Sequence, residues 1–220
     1  MPAIYLIDDH KLLLDSLSYL LENDGGYEIC GQAHCAREAL SEVPDIEPDL
    51  VLLDISLPDK SGLTLIKDLQ ALCPDVPVLV LSMHDEMLYA ERVIRAGARG
   101  YVMKECASEQ LLEAMAKVLK GEVALSPKAS AKIFEALSGN PGDQPKLHDL
   151  TDREFEVFEL IGRGEDVHDI AEHLSISPRT VDAHRTHIRE KLGLPNSQAL
   201  LRHAVRWVES GEFVEDAEKA

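Results

Sequence analysis

Five side chains with reactive groups each follow or end a short apolar segment of the sequence: Asp8, Asp9, Asp54, Ser82 and Lys104. Three carboxylates held close together repel one another, and a hard divalent cation with oxygen ligands, such as Mg²⁺, relieves that repulsion. A carboxylate beside Mg²⁺ is also a competent nucleophile toward phosphorus. A lysine and a hydroxyl group that hold phosphoryl oxygens complete the charge neutralisation that phosphoryl transfer requires. The group therefore predicts a site that forms an acyl phosphate on an aspartate.

The apolar segments themselves predict a parallel sheet covered by helices. Strands are expected at 3–7, 28–31, 49–53, 78–81 and 100–103, and segments of helical period at 11–23, 36–42, 62–71, 86–96 and 108–119, with Gly97 as a C-terminal cap and Ser108 as an N-cap. This alternation is typical of a doubly wound α/β fold. Ligands gather at the carboxyl edge of such a sheet, so the five side chains should converge there. Asp is a common turn residue at strand ends, and only the coincidence of five groups at four strand ends favours a site.

These residues also resemble the receiver domain of two-component response regulators, over about residues 3–120. The matching motifs are Asp8-Asp9-His10, Asp54-Ile55-Ser56-Leu57-Pro58 with Gly62, Leu81-Ser82-Met83-His84, and Gly97-Ala98-Arg99-Gly100-Tyr101-Val102-Met103-Lys104. The resemblance implies a (βα)5 flavodoxin-like domain phosphorylated by a sensor histidine kinase. It also implies the roles of the residues: Asp54 is the phosphoacceptor, Lys104 contacts the phosphoryl group, and Asp8, Asp9, Asp54 and the backbone carbonyl of Ser56 hold Mg²⁺.

The same resemblance makes Ser82 and Tyr101 a pair of switch residues. A phosphoryl group brings about −1.5 to −2 charges and new acceptor oxygens. It would draw the Ser82 hydroxyl inward and let the Tyr101 ring rotate into the vacated space, which changes the surface formed by 86–96, 100–103 and 108–119. The alternative is that Tyr101 is an ordinary strand tyrosine with a half-buried ring. Ser61 stands where many receivers have Asp, at an expected surface position.

Past the receiver-like part, the sequence predicts a linker and a second domain. We expect the first domain at 1–121, a linker at 122–146, a small all-helical domain at 147–208 and an acidic, solvated tail at 209–220. The net charge of −18 argues against nucleic acid as a partner, but it is unevenly distributed. Residues 1–146 carry 13 Lys and Arg against 24 Asp and Glu, whereas residues 147–208 carry 8 against 11. The second domain is therefore close to neutral.

Within the second domain, one predicted helix has a locally basic outer face. Ser177-Pro178 is a strong helix start, and the helix should run to about Leu192 with Val181, His184, Ile188 and Leu192 toward the core. A helix at about 167–174 and a turn at 175–177 precede it, which gives the spacing of a helix-turn-helix. A generic bundle with a solvated basic stripe is the alternative.

The second domain also resembles the LuxR-type DNA-binding domain over about residues 147–208, and the whole chain resembles the NarL/FixJ class. Its matches are Leu150-Thr151-Asp152-Arg153-Glu154, Glu156-Val157, Ile170-Ala171, Leu174, Ile176-Ser177, Thr180-Val181, His184, Ile188 and Lys191-Leu192-Gly193. The resemblance implies a homodimer on double-stranded DNA. It places Asp182, Ala183 and Thr186 at base edges and Arg179, Thr180, Arg185 and Lys191 near phosphates, with Arg189 on the same outer face.

Three further expectations concern dimerisation and regulation. Leu201 and Val205 lie on an apolar stripe of the last helix and are candidates for a dimer contact, although a core position is nearly as good an interpretation. Acidic residues at 165–169 stand where relatives often carry a basic one, and would weaken non-specific DNA binding. The acidic first domain could also cover the basic helix until phosphorylation releases it.

Other functions are less compatible with the sequence. Aspartyl-phosphate phosphatases of the haloacid dehalogenase type place a second Asp where this chain has Ser56, so the acid/base for turnover is missing and no enzyme is predicted. A LuxR-type sensor with an apolar small ligand conflicts with a carboxylate-lined pocket. Four scattered cysteines without a C-x-x-C pair favour buried free thiols over a disulfide framework or a zinc knuckle. No segment is apolar enough to span a membrane, and a cytoplasmic location is expected.

Overall fold

The computed structural model describes residues 1–138 and 146–210. The chain divides into two compact units, Met1–Leu137 and Ser138–Ala220. Residues 139–145 of the predicted linker and residues 211–220 of the predicted tail lie outside the described residues. Each unit has buried apolar residues that form a core of its own.

The first unit is a five-stranded parallel sheet with the strand order β2-β1-β3-β4-β5. The strands are β1 (Ala3–Ile7), β2 (Glu28–Ala33), β3 (Leu50–Leu53), β4 (Val78–Ser82) and β5 (Gly100–Met103). Every residue of β3 and β4 is buried, because helices cover both faces of the sheet. The predicted doubly wound α/β fold is confirmed.

Helices follow the strands in the predicted order. They are α1 (Lys11–Leu20), continued by a π-helical turn at Leu21–Gly25, then α2 (Ala36–Ile46), α3 (Gly62–Leu72), α4 (Glu86–Ala96) and α5 (Ser108–Leu119). Gly97 ends α4 in the left-handed conformation with a φ of 112°, as expected for a C-terminal cap. The N-cap prediction for Ser108 is wrong, because Ala107 occupies that position and Ser108 is already helical.

The predicted linker at 122–146 is wrong in its first half. Ala124 is buried and forms a bridge with Gly100 of β5; its amide donates to the Arg99 carbonyl, and its carbonyl accepts from the Tyr101 amide. The helix α6 (Pro127–Ser138) follows directly. The backbone of this segment thus satisfies donors and acceptors at the sheet edge, so the first unit extends to Leu137.

Among the described residues of the second unit there are four α-helices: α7 (Asp152–Gly162), α8 (Val167–His173), α9 (Pro178–Leu192) and α10 (Ser197–Ser210). A 3₁₀ turn at Lys146–Asp149 precedes them. Trp207 of α10 packs edge-on against Phe155 of α7 and tilted against Phe158, with ring centroids 5.1 and 5.7 Å apart. Gly162 allows close packing of these helices, since a Cβ there would lie 2.4 Å from the Ala204 carbonyl oxygen.

The four cysteines are free, in agreement with the prediction that no disulfide framework exists. Their side chains are half-buried rather than fully buried. No helix among the described residues is long and apolar enough to cross a membrane.

Candidate functional site

The five side chains singled out from the sequence meet at the carboxyl edge of the sheet. Asp8 and Asp9 follow β1, Asp54 follows β3, Ser82 ends β4 and Lys104 follows β5. Asp8 and Asp54 are only 3% and 4% exposed, and Ser82 is fully buried, whereas Asp9 is open to solvent. The parallel strands, buried on both faces, therefore hold two carboxylates in a largely dry pocket.

Lys104 joins the two buried carboxylates. Its Nζ lies 2.6 Å from Asp8 Oδ2 and 2.7 Å from Asp54 Oδ2, and its side chain is 8% exposed. The Lys104 amide donates to the Ser82 carbonyl at 2.8 Å, which fixes the start of the loop after β5. Burial alone would lower the pKa of Lys104, but the two carboxylates outweigh it and raise the pKa. The lysine is therefore held in its charged form.

The pKa of Asp54 is raised, whereas an ion pair with a lysine ordinarily lowers the pKa of a carboxylate. Burial raises this pKa, the Lys104 ammonium lowers it, and the Asp8 carboxylate raises it again, with a net upward shift. The Oδ1 atom of Asp54 is buried and accepts no hydrogen bond from any described residue. A buried oxygen of this kind is costly unless a cation or a new donor binds it.

A divalent cation fits the free oxygens of this pocket. Asp8, Asp9, His10 and Asp54 can each offer one ligand atom, and these four atoms lie within 4.8 Å of one another. The set is rich in carboxylates, which suits a hard cation. His10 is a member that the sequence interpretation did not assign as a ligand; its position next to Asp9 at the start of α1 was the available signal.

The loop after β3 is held in place by its neighbours. Gly62 lies so close to the Ile55 backbone that a Cβ would come within 2.5 Å of the Ile55 Cα. Asp59 accepts hydrogen bonds from the amides of Ala36 and Arg37 at 2.9 and 3.0 Å and so caps α2. Partial burial would raise the pKa of Asp59, but these amides outweigh it and lower the pKa. Ser61, expected at the surface, is half-buried.

The predicted switch residues are connected through His84. Tyr101 is 3% exposed, and its hydroxyl donates to the His84 carbonyl at 2.8 Å. The His84 amide lies 3.4 Å from Ser82 Oγ, and its ring Nε2 lies 3.0 Å from Ser56 Oγ. The ring is fully inside rather than half-buried, and the role of Tyr101 as a switch residue, against that of an ordinary strand tyrosine, stays a prediction. His84 thus contacts the loop after Asp54 and both switch residues.

The second unit positions a helix-turn-helix through well-formed caps. Thr151 and Glu154 form a capping box at the start of α7, Asp166 caps α8, and Ser177 Oγ accepts from the Thr180 amide at 3.1 Å at the start of α9. Val181 and Ile188 are buried, as predicted, whereas His184 and Leu192 are half-buried. Gly193 ends α9 with a φ of 69°.

Most of the residues predicted to contact DNA lie on the outer face of α9. Arg179, Asp182, Ala183 and Thr186 are exposed, and Thr180, Arg185 and Arg189 are half-buried. Arg185 Nη1 lies 3.5 Å from Asp182 Oδ1.

Lys191, also predicted to contact DNA, forms an ion pair within the second unit. Its Nζ lies 2.6 Å from Glu154 Oε2 and 3.2 Å from the Asp149 carbonyl oxygen. Glu154 is 4% exposed, so this ammonium neutralises a buried carboxylate. A phosphate contact by Lys191 stays a prediction that competes with the ion pair.

Among the acidic residues at 165–169, Asp166 stabilises the start of α8. Its carboxylate accepts hydrogen bonds from the amides of His168 and Asp169, and these bonds lower the pKa of Asp166.

The two candidate dimer residues lie at the surface side of α10. Leu201 is 45% exposed and Val205 is half-buried, while their neighbours Leu200 and Ala204 are in the core.

Comparison with known families assigns both units. Residues 4–116 match the response regulator receiver domain, and residues 148–204 match the luxR family of bacterial regulatory proteins. The chain is a two-component response regulator. It belongs to the class that joins a receiver domain to a LuxR-type helix-turn-helix, and this class regulates transcription by binding DNA and is not enzymatic.

Relatives of known name or structure align with this response regulator over 63 to 93% of its length. The oxygen regulatory protein NreC of Staphylococcus carnosus is 33% identical over 209 residues, which are 92% of this chain and 96% of that protein. RcsB of Salmonella enterica bound to promoter P1flhDC with the phosphomimetic BeF₃⁻ is 26% identical, with a TM-score of 0.62, over 93% of this chain and 98% of that one. A LuxR-family response regulator from Aurantimonas is 29% identical, with a TM-score of 0.58, over 63% of this chain and 99% of that one.

Proposed function

We propose that this response regulator is phosphorylated on Asp54 by a sensor histidine kinase, and that the acyl phosphate controls the binding of its second domain to DNA. The observation that carries the proposal is the Lys104 bridge. Lys104 holds one oxygen each of Asp8 and Asp54, and Oδ1 of Asp54 is left without a donor. The arrangement supplies positive charge to a pocket where a phosphoryl group adds negative charge.

Phosphoryl transfer to Asp54 forms one bond to phosphorus and breaks another. An Asp54 carboxylate oxygen forms the new P–O bond, the P–N bond of a phosphohistidine breaks, and the imidazole leaving group takes up a proton. Lys104 stabilises charge on the phosphoryl oxygens, and the hydroxyl of Ser82 donates to one of them. Mg²⁺ is the expected cation; Asp8, Asp9, Asp54 and the backbone carbonyl of Ser56 would hold it, and it would neutralise phosphoryl charge.

The output would be sequence-specific recognition by α9. Asp182, Ala183 and Thr186 would face base edges, and Arg179, Thr180, Arg185 and Arg189 would lie near phosphates, while Lys191 would have to leave Glu154 to do so. RcsB, which shares the two-domain organisation, has been solved with promoter DNA in the presence of a phosphomimetic and as dimers on DNA. By analogy, this chain would bind double-stranded DNA as a homodimer, with Leu201 and Val205 in the dimer contact. Such a regulator acts where the chromosome is, in the cytoplasm.

The test is to phosphorylate the full-length protein with acetyl phosphate and Mg²⁺. Intact mass spectrometry should show one added phosphoryl group on the wild type and none on Asp54→Asn. The matched control is Asp15→Asn, an exposed carboxylate on α1, which should behave as wild type. Phosphorylation should then increase the capture of fragmented genomic DNA by wild type and by the control, and not by Asp54→Asn. Phosphorylation of Asp54→Asn would contradict the assignment of the phosphoacceptor.

A further inference from the structure

We propose that Arg153 of α7 is a positioning residue for DNA recognition, because it holds the turn between α8 and α9 and so sets the direction in which α9 leaves that turn. This inference rests on the proposed function, since it concerns the helix that would recognise DNA. It goes further by assigning a part in that recognition to a residue outside α9.

The guanidinium of Arg153 connects α7 to the end of α8. Its Nη2 donates to the backbone carbonyl of Leu174, the C-cap residue of α8. Its Nη1 donates to Glu156 Oε2 at 2.8 Å. The Arg153 side chain is 31% exposed and that of Glu156 is 12% exposed, so the pair is partly shielded from solvent. The planar guanidinium serves both acceptors at once, and the Glu156 carboxylate orients it toward Leu174.

The acceptor lies where a helix end needs a donor. The last carbonyl groups of a helix have no partner within the helix and carry partial negative charge, so a cation there is favourable. The turn after α8 also has a backbone hydrogen bond, in which the Ser175 amide donates to the Glu172 carbonyl at 3.1 Å. That bond does not use the Leu174 carbonyl, which accepts from Arg153. The arginine therefore restrains the turn in addition to its backbone bonding.

The restrained peptide group is followed by a residue in an unfavourable backbone conformation. Ser175 has a φ of 52°, in the left-handed region, which a residue with a Cβ adopts at a cost and glycine adopts freely. Such a conformation persists only where the surrounding contacts hold it. Ser177 caps α9 two residues later, with its Oγ accepting from the Thr180 amide at 3.1 Å. A change of backbone conformation at Ser175 would therefore change the direction in which α9 begins.

A direct contact between Arg153 and a DNA phosphate is the competing role. Both Nη atoms of Arg153 already donate within the second unit, so such a contact would replace one of these bonds. The two roles differ in their salt dependence. A phosphate contact releases counterions when DNA binds, whereas a residue that only positions α9 does not.

The experiment compares full-length wild type, Arg153→Met and Arg163→Met after phosphorylation with acetyl phosphate, at a temperature where all three are folded. The probe is a DNA duplex recovered from fragmented genomic DNA by capture with the phosphorylated wild type. Arg163→Met is the matched control, because Arg163 Nη2 lies 2.6 Å from Oε1 of Glu159 on its own helix, and the Glu159 side chain is 1% exposed. This control should lose stability, since it removes the partner of a buried carboxylate, and should keep wild-type DNA affinity.

Arg153→Met should lower the DNA affinity about tenfold, the usual effect of losing one hydrogen bond to a charged group, and leave the salt dependence unchanged. Backbone hydrogen exchange at 174–177 should become faster in Arg153→Met and not in Arg163→Met. Adding Ser175→Gly to Arg153→Met should restore part of the affinity, because glycine adopts the left-handed φ without strain.

The opposite results would overturn the inference. Wild-type affinity in Arg153→Met would show that the turn does not depend on the arginine, and an equal loss in Arg163→Met would show that stability alone explains the effect. A salt slope reduced by about one would make Arg153 a phosphate contact instead. If Ser175→Gly restores no affinity, Arg153 does not act through the turn.

Failure of this inference can be distinguished from failure of the proposed function. If phosphorylated wild type captures no DNA, the proposed function fails and the positioning role fails with it. If wild type captures DNA but exchange at 174–177 is equal in wild type and Arg153→Met, this inference alone is overturned.

Discussion

The hydroxyl of Tyr101 donates a hydrogen bond to the backbone carbonyl of His84, 2.8 Å away, with the tyrosine ring fully buried. The His84 amide and ring also contact Ser82 and Ser56, so the bond links β5 to the loops that flank Asp54. We expect Tyr101→Phe to accept a phosphoryl group on Asp54 normally and to lose most of the phosphorylation-dependent gain in DNA affinity. The lost hydrogen bond should also cost about 1 kcal/mol of stability.

Intact mass spectrometry and DNA titration, with and without acetyl phosphate, separate the two effects of Tyr101→Phe. Tyr19→Phe is the matched control, because Tyr19 is 70% exposed on α1. A Tyr101→Phe variant that gains DNA affinity on phosphorylation as fully as wild type would show that the bond to His84 takes no part in the switch.

The raised pKa of Asp54 predicts a stability effect of Asp54→Asn that depends on pH. The folded protein holds the Asp54 proton more tightly than the unfolded chain does, since burial raises the pKa above its ordinary value of 3.8. Stability is therefore lost as the pH rises from that value through the folded pKa. Without divalent cations, Asp54→Asn should be more stable than wild type at pH 7, and the difference should vanish below pH 3.8. Urea unfolding at several pH values measures this difference in unfolding free energy. An Asp54→Asn variant less stable than wild type at pH 7 would contradict the prediction.

The carboxyl edge of the sheet was predictable because its chemistry follows the strand pattern directly. Buried strands appear as apolar runs, and the parallel order brings their ends to one edge, so Asp8, Asp54 and Lys104 could be placed together before any distance was known. The closeness of the His10 ring to these carboxylates could not be predicted, because the direction of an exposed ring is not encoded in the local sequence pattern.

The sheet-edge pairing of the segment after α5 and the ion pair of Lys191 could not be predicted for a different reason. Ala124 joins the sheet edge through two backbone hydrogen bonds, and backbone pairing of a short segment has no side-chain signature. Lys191 was assigned to DNA from its position on a basic helix. The buried Glu154 that it neutralises lies on α7, and such a contact depends on tertiary packing.

The position of α6 predicts that the first unit needs residues beyond 121 for stability. Ala129 is 1% exposed, Lys132 Nζ donates to the Met87 carbonyl at 3.0 Å, and the Ser126 amide donates to Glu86 Oε1 at 2.8 Å. Ala129→Asp would bury an unpaired charge and should destabilise the first unit by about 2 kcal/mol or more. Ala131→Asp, at an exposed position of the same helix, is the control and should change stability little.

Thermal unfolding of both alanine variants in the full chain provides the measurement for α6. Hydrogen exchange should place the effect of Ala129→Asp at 122–137 and at α4 and β5. Equal stability of the two variants would mean that α6 is not docked in solution, and the expected linker at 122–146 would be restored.

The ion pair between Lys191 and Glu154 yields a prediction that separates a structural role from a DNA contact. Burial would raise the pKa of Glu154, but Lys191 and the Thr151 cap outweigh it and lower the pKa below its ordinary value of 4.5. The pair therefore stabilises the second unit above that pH, and this stabilisation is lost as the pH falls through the folded pKa. We expect Lys191→Met to lower the stability of this unit by about 1–2 kcal/mol at pH 7, because it leaves a buried carboxylate with fewer partners.

DNA titration over a range of salt concentrations shows whether Lys191 also touches phosphate. A side chain held by Glu154 releases no counterion, so Lys191→Met should leave the salt dependence of binding unchanged, whereas Arg179→Ala should reduce the slope by about one. Lys117→Met is the stability control, since its partner Glu113 is an exposed neighbour on α5. A reduced salt slope for Lys191→Met with unchanged stability would reverse the assignment, because the lysine would then serve the DNA backbone rather than Glu154.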